Sequence, residues 1–151
     1  MPESVPSAIA CELIEAYLAA NYRVDADPAF VLKVGVCSLP LLDLFGRHRC
    51  ECAAYLTACN PFSQDVGPAE NAARQAELAR QLKGRSLTFI EGIGLDGQMP
   101  ADGGASQWPG EPSFLVLGLS LEAARALGRK HAQNALLWCA SDGVPQLVLL
   151  R

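Results

Sequence analysis

The stretch Cys52-Ala53-Ala54-Tyr55-Leu56-Thr57-Ala58, with Cys59-Asn60-Pro61-Phe62-Ser63-Gln64 behind it, decides the fold. Its first seven residues carry no charge and only two hydroxyls. A short run that is apolar on both alternating faces reads as a strand buried on both sides. The Asn60-Pro61 step stops it. Pro68 then opens a helix reaching about Lys83, and Gly84 ends it. A second apolar run, over 113–119, is the clearest buried strand, and Ser120 caps the helix that follows it to about His131, with Glu122 in the first turn.

Working outward, Ser7 can cap a first helix to about Asn21, with Ile9, Leu13, Ala16, Tyr17 and Ala20 on one face. Tyr22-Arg23-Val24 and Phe30-Val31-Leu32-Lys33-Val34 flank the turn residues Asp25-Ala26-Asp27-Pro28 and suggest a hairpin. Ser38 caps a short helix with Pro40 in its first turn and Gly46 near its end. Leu87-Thr88-Phe89-Ile90 is a strand, and 92–112 reads as a long glycine- and proline-rich loop. A last hairpin pairs 135–139 with 146–150. The order is α-β-β-α-β-α-β-β-α-β-β. It predicts one domain over 1–151 of α/β (α+β) class, a single mixed β-sheet flanked by about four helices.

A chain of 151 residues, half of them hydrophobic, buries roughly 70% of its extended surface and needs no staples. The net charge of −4 gives no electrostatic footprint for nucleic acid. Basic residues at 47 and 49, and at 125, 129 and 130, fall near helix C-termini, where cations complement free carbonyls. No apolar stretch approaches the roughly 20 residues of a membrane span. The acidic start Met1-Pro2-Glu3-Ser4 is unlike a signal peptide, so a cytoplasmic protein is expected. Six cysteines in that compartment are expected reduced, with neither disulfide nor metal.

Three motifs invite sharper chemistry. His48-Arg49-Cys50-Glu51-Cys52 offers three ligands at a spacing unlike zinc sites, which want four. Cys59 and His131 could pair as nucleophile and base, but His131 shares a stripe with Ala124 and Leu127 that suits core packing better. Gly92-Ile93-Gly94-Leu95-Asp96-Gly97 formally matches the dinucleotide fingerprint; Pro100, Gly103 and Gly104 then forbid the helix that fingerprint needs. No cofactor is expected.

Six spaced segments belong together: Tyr22-Arg23-Val24, Val31-Leu32-Lys33-Val34-Gly35, Thr57-Ala58 with Asn60-Pro61 and Ser63, Glu70-Asn71-Ala72-Ala73-Arg74-Gln75, Trp108 with Glu111-Pro112-Ser113, and Leu127-Gly128-Arg129 with Gln133-Asn134-Ala135. In this combination they resemble an uncharacterised bacterial family catalogued as domain of unknown function 3293. The resemblance implies a small cytoplasmic bacterial domain and supplies no activity. Cys59 and His131 depart from the family pattern, which speaks against a shared mechanism through either.

The residues themselves point to one crevice. On the helix from Pro68, Leu78 and Leu82 lie about 20° to either side of Asn71, so Asn71 faces the core; Arg74 lies about 60° to one side and Gln75 about 40° to the other. Asn60, Ser63, Asn71 and Arg74 then form either a polar pocket or a structural network that ties the turn. Glu111 is the candidate catalytic group, a base if burial raises its pKa; the alternative is an ion pair with Arg74 or Arg23 that anchors the loop. Trp108 stacks on a ligand ring or covers the core edge. Gln133 can reach the same crevice, and Asn134 is expected to cap the preceding helix. Glu111 joins the site only if the 52–58 and 113–119 strands run antiparallel, with Glu111 in reach of Asn71 or Arg74. Residues 92–107 are expected to be the most mobile internal segment. The resulting function is a small-molecule-binding or catalytic crevice at a strand edge, with no nucleic acid or membrane partner and the oligomeric state open. The alternative is a non-enzymatic interaction or regulatory module whose motifs are structural.

Overall fold

The structure, a computed structural model, describes residues 9–95 and 110–151. Ser7, Trp108 and most of the loop expected to be mobile, with its fingerprint-like tail, lie outside the described residues. The elements follow the expected order: α1 Cys11–Ala19, β1 Asn21–Val24, β2 Phe30–Leu32, α2 Leu39–His48, β3 Ala53–Leu56, α3 Pro68–Gly84, β4 Phe89–Leu95, β5 Glu111–Leu117, α4 Leu121–Lys130, β6 Ala135–Cys139 and β7 Pro145–Leu149. A 3-10 turn, Pro61–Ser63, sits between β3 and α3. No described helix is long and apolar enough to cross a membrane.

The α+β class and the four helices are as expected. The strand directions are not mixed: all seven strands join one sheet in the order β2-β1-β4-β5-β3-β6-β7, and every pairing is antiparallel. The reason lies in the two helical crossovers. Helix α3 carries the chain from β3 to β4, which run the same way but are separated by β5. Helix α4 carries it from β5 to β6, separated by β3. Each crossover skips one strand, and the skipped slot is filled antiparallel.

Strand β3 lies near the middle of the sheet and is buried on both faces, as its sequence demands. Ala54, Leu56 and Ala58 pack with Leu78 and Leu82 of α3 and with Leu127 of α4. Ala53 and Tyr55 face Leu41, Leu44 and Phe45 of α2. Ser38 caps α2 by accepting the Leu41 N–H (3.2 Å), and Ser120 caps α4 by accepting the Ala123 N–H (3.2 Å). Helix α1 starts later than expected, behind Ala10, without a side-chain cap, and buries none of its residues.

The segment read as a loop from 92 is partly strand. Gly92 to Leu95 complete β4, and Glu111 and Pro112 open β5; Gly94 lies opposite Glu111. Gly92 and Gly94 of the fingerprint-like stretch therefore lie in a strand. All six cysteines are free. The Cys52 thiol donates to the Leu119 carbonyl (3.4 Å), and Cys50 packs against the α2 side of the core.

Candidate functional site

Where β3 ends, β5 begins, because Leu56 pairs with Phe114 in the antiparallel register. That places Glu111 at the sheet edge reached by Asn60. The chain turns sharply there: Asn60 (φ 48°), Phe62 (φ 52°) and Ser63 (φ 60°) all adopt left-handed backbone, which residues other than glycine adopt seldom. Such a turn persists only when its surroundings hold it.

Two sets of hydrogen bonds do so. Asn71, facing inward from the first turns of α3, makes a reciprocal pair with Asn60: its Oδ1 accepts the Asn60 backbone N–H (2.8 Å), and its Nδ2 donates to Asn60 Oδ1 (2.7 Å). Further along, Ser63 Oγ accepts from Asn134 Nδ2 (2.9 Å) and bonds the Tyr17 hydroxyl of α1 (2.7 Å). Asn134 is not the cap of α4 expected from the sequence. Its Oδ1 accepts from Arg151 Nη1 (3.0 Å), so it clamps the turn to the chain's last residue, whose guanidinium stacks on Phe62. Gln133 Nε2 donates to the carbonyls of Cys59 (3.0 Å) and His131 (3.1 Å), tying β3's exit to that of α4.

Asn60 Nδ2 donates to Glu111 Oε2 (3.0 Å). Glu111 thus reaches Asn71 through Asn60, with no direct bond to it. The anchoring ion pair is not made: Arg23 pairs with Asp25 (2.9 Å) and Arg74 with Glu70 (3.6 Å). Among the described residues no cation pairs with Glu111. Burial pushes its pKa up, and the Asn60 hydrogen bond offsets only part of that.

These groups open on a cavity of about 930 Å³ that runs round the end of the sheet. Its volume falls in the range of about 300–1,000 Å³ typical of small-molecule sites. Asn60, Ser63, Asn71, Glu111 and Gln133 line it; Arg74 does not. The phase of α3 explains the division, since Arg74 lies on the other side of Asn71 from Gln75 and turns into a shallow surface pocket with Glu70, Glu77, Lys130 and His131. His131 bonds Gln81 (2.9 Å) and is buried beside Leu127, so it cannot serve Cys59 as a base. Burial also raises the pKa of Cys59, so its thiol is not activated. Among the described residues no group of three or more His, Cys, Asp or Glu could hold a metal ion.

Four participants, Gln75, Thr57, Tyr55 and Tyr22, were absent from the sequence-based set. Gln75 Oε1 accepts the Ala58 N–H (2.9 Å), which fixes the orientation of the amide; its Nε2 is buried and has no partner among the described residues. Thr57 Oγ1 donates to the Pro112 carbonyl (2.6 Å), locking β3 to β5 beside Glu111. Tyr55 donates to the Arg23 carbonyl (2.8 Å), and Tyr22 to the Tyr17 carbonyl (2.6 Å). Gln75 was findable from its angle on α3, and Tyr55 from its alternation with Leu56.

A carboxyl whose folded pKa is raised costs stability once it ionises. Its contribution is fully present below the unfolded value and is lost as pH rises through the folded one. Glu111→Gln keeps an acceptor for Asn60 and removes the charge. It should therefore raise the melting temperature at pH 7, and the gain should vanish below about pH 4, where both forms are neutral. Thermal melts across that range check it; a variant less stable than the parent at pH 7 would contradict the burial argument.

No curated protein and no solved structure matches the chain. The family model described as protein of unknown function (DUF3293) matches residues 56–136, from the end of β3 through α3, β4, β5 and α4 to β6, which is over half the chain and holds most of the cavity's lining, Tyr17, Tyr22 and Tyr55 lying outside it; the chain belongs to that family.

Proposed function

We propose that this domain binds a small molecule in the cavity at the end of β3, with Glu111, Asn60 and Asn71 as its polar contacts and Glu111 as the group able to take or give a proton. The observation that carries this reading is Glu111 itself. A half-buried carboxyl with no cation among the described residues, held by one amide and facing an open cavity, is a poor structural choice. Groups of that kind are retained where a ligand completes them. The cavity's mostly apolar wall with a few converging polar groups supports the same reading. We place the protein in a reducing, cytoplasmic compartment, a choice its six free thiols support, and we assign it neither nucleic acid nor membrane as a partner.

A thermal-shift screen of nucleosides, amino acids, amines and carboxylates tests the proposal. A ligand at a hundred times its Kd stabilises by about 2.7 kcal/mol, a shift of about 5–10 °C for a domain this size. The shift should disappear in Glu111→Gln. Hits that survive in that variant would move the site elsewhere. The interaction-module reading rests on Val31, Val36 and Leu39, large apolar residues left exposed on and after the edge strand β2. A screen without hits, together with self-association lost on Leu39→Ser, would favour it.

A further inference from the structure

The cavity's charge says what kind of molecule it takes. Its lining includes three carboxylates, Asp65, Glu91 and Glu111, and among the described residues no lysine, arginine or histidine. Of the arginines near the site, Arg74 turns out of it, Arg23 pairs with Asp25, and Arg151 is held behind the wall by Asn134 Oδ1 and the Phe62 ring. Three tyrosines, Tyr17, Tyr22 and Tyr55, contribute to the wall, and the rings of Tyr22 and Tyr55 meet edge to face with centroids 5.4 Å apart. Carboxylate beside aromatic ring is the chemistry that recognises organic cations.

The start of α3 would favour an anion, since helix N-termini carry partial positive charge. Asp65 answers it: its Oδ1 already accepts the Gly67 N–H (2.9 Å) just ahead of the helix. One polar requirement remains. Gln75 Nε2 is buried without a partner among the described residues, and the Ala58 N–H prevents the amide from flipping. An unmet donor of that kind destabilises the fold unless an acceptor arrives.

We infer that the ligand is an organic amine or ammonium ion that also carries a carbonyl or hydroxyl oxygen, the cation meeting Glu111 and the tyrosine wall and the oxygen meeting Gln75. This deepens the proposed function and rests on it.

Phenylalaninamide, N-acetylphenylalaninamide and N-acetylphenylalanine test it. They share a ring and a carbonyl and differ in being cationic, neutral and anionic. Binding is read by amide chemical shifts at Ala72, Ala76 and Gly94 on the cavity wall, at 0.15 M salt. The cation should bind at least tenfold more tightly than either relative and lose that advantage in Glu111→Gln. A second variant, Glu91→Gln, should weaken it less. Tighter binding of the neutral or anionic probe at the same amides would overturn the cation assignment and leave the ligand site standing. Equal affinity of the cation for the parent and Glu111→Gln would also overturn it. No shift at those amides with any probe at millimolar concentration would overturn both readings.

Discussion

Gly92→Ala should destabilise the fold by about 3 kcal/mol. Gly92 lies in β4 opposite Val24 of β1 on one side and Ser113 of β5 on the other. The Tyr55 side chain starts from β3 and donates to the Arg23 carbonyl of β1 (2.8 Å), passing close to Gly92 of β4. It can reach that carbonyl because Gly92 has no side chain. A Cβ there would overlap the Arg23 carbonyl oxygen and stand 2.9 Å from the Tyr55 hydroxyl. The first obstacle is backbone and has no rotamer to relax into. Relief requires β1 to move off β4 and the tyrosine to give up its hydrogen bond. Gly94→Ala is the control, since its Cβ would meet only the Glu111 carbonyl oxygen, at 3.8 Å. Urea midpoints should separate the two variants widely. Similar midpoints would mean that Gly92 matters for backbone freedom rather than for the approach of Tyr55. The role is steric, and it accounts for a glycine in a stretch that resembles a nucleotide fingerprint without being one.

How far the chain could be read without coordinates follows a physical divide between local and distant effects. The double-sided burial of β3, the caps Ser38 and Ser120, and the span of α3 are written in neighbouring residues, and all were legible. So was the inward turn of Asn71, because Leu78 and Leu82 fix the phase of its helix. The same phase separates Gln75 from Arg74, and weighing it more heavily would have exchanged one for the other. Strand order was not legible. The insertion of β5 between β3 and β4 depends on which distant strands pair, and no local pattern encodes that. The extension of β4 to Leu95 was hidden because its glycines read as breakers. Asn134 was misassigned for the same reason as the sheet: its partners Arg151, Ser63 and Tyr17 lie 17, 71 and 117 residues away. A side chain one position past a helix looks like a cap until its distant partners are known.

Asn71→Ala separates the two roles this site combines. The Asn60–Asn71 pair satisfies a backbone N–H and a side-chain carbonyl at a residue held in left-handed backbone. Truncation at 71 leaves both without protein partners, and each such loss costs about 1–3 kcal/mol. Water from the open cavity can reach part of the gap, so the expected total is about 2–4 kcal/mol. Glu111→Gln, by contrast, should stabilise the neutral-pH protein while removing the charge that a cationic ligand needs. The two variants are therefore predicted to move stability in opposite directions and binding in the same one. Chemical denaturation together with probe titration reads both quantities. A purely structural network would behave otherwise: Asn71→Ala would still destabilise, but Glu111→Gln would change no binding, because there would be none to change. An Asn71→Ala protein within about 0.5 kcal/mol of the parent would remove the pair as the support of the turn. The left-handed Asn60 would then be held by its Glu111 hydrogen bond, by Gln133 and by the Tyr17–Ser63–Asn134 clamp, and Asn71 would be free to serve the ligand only.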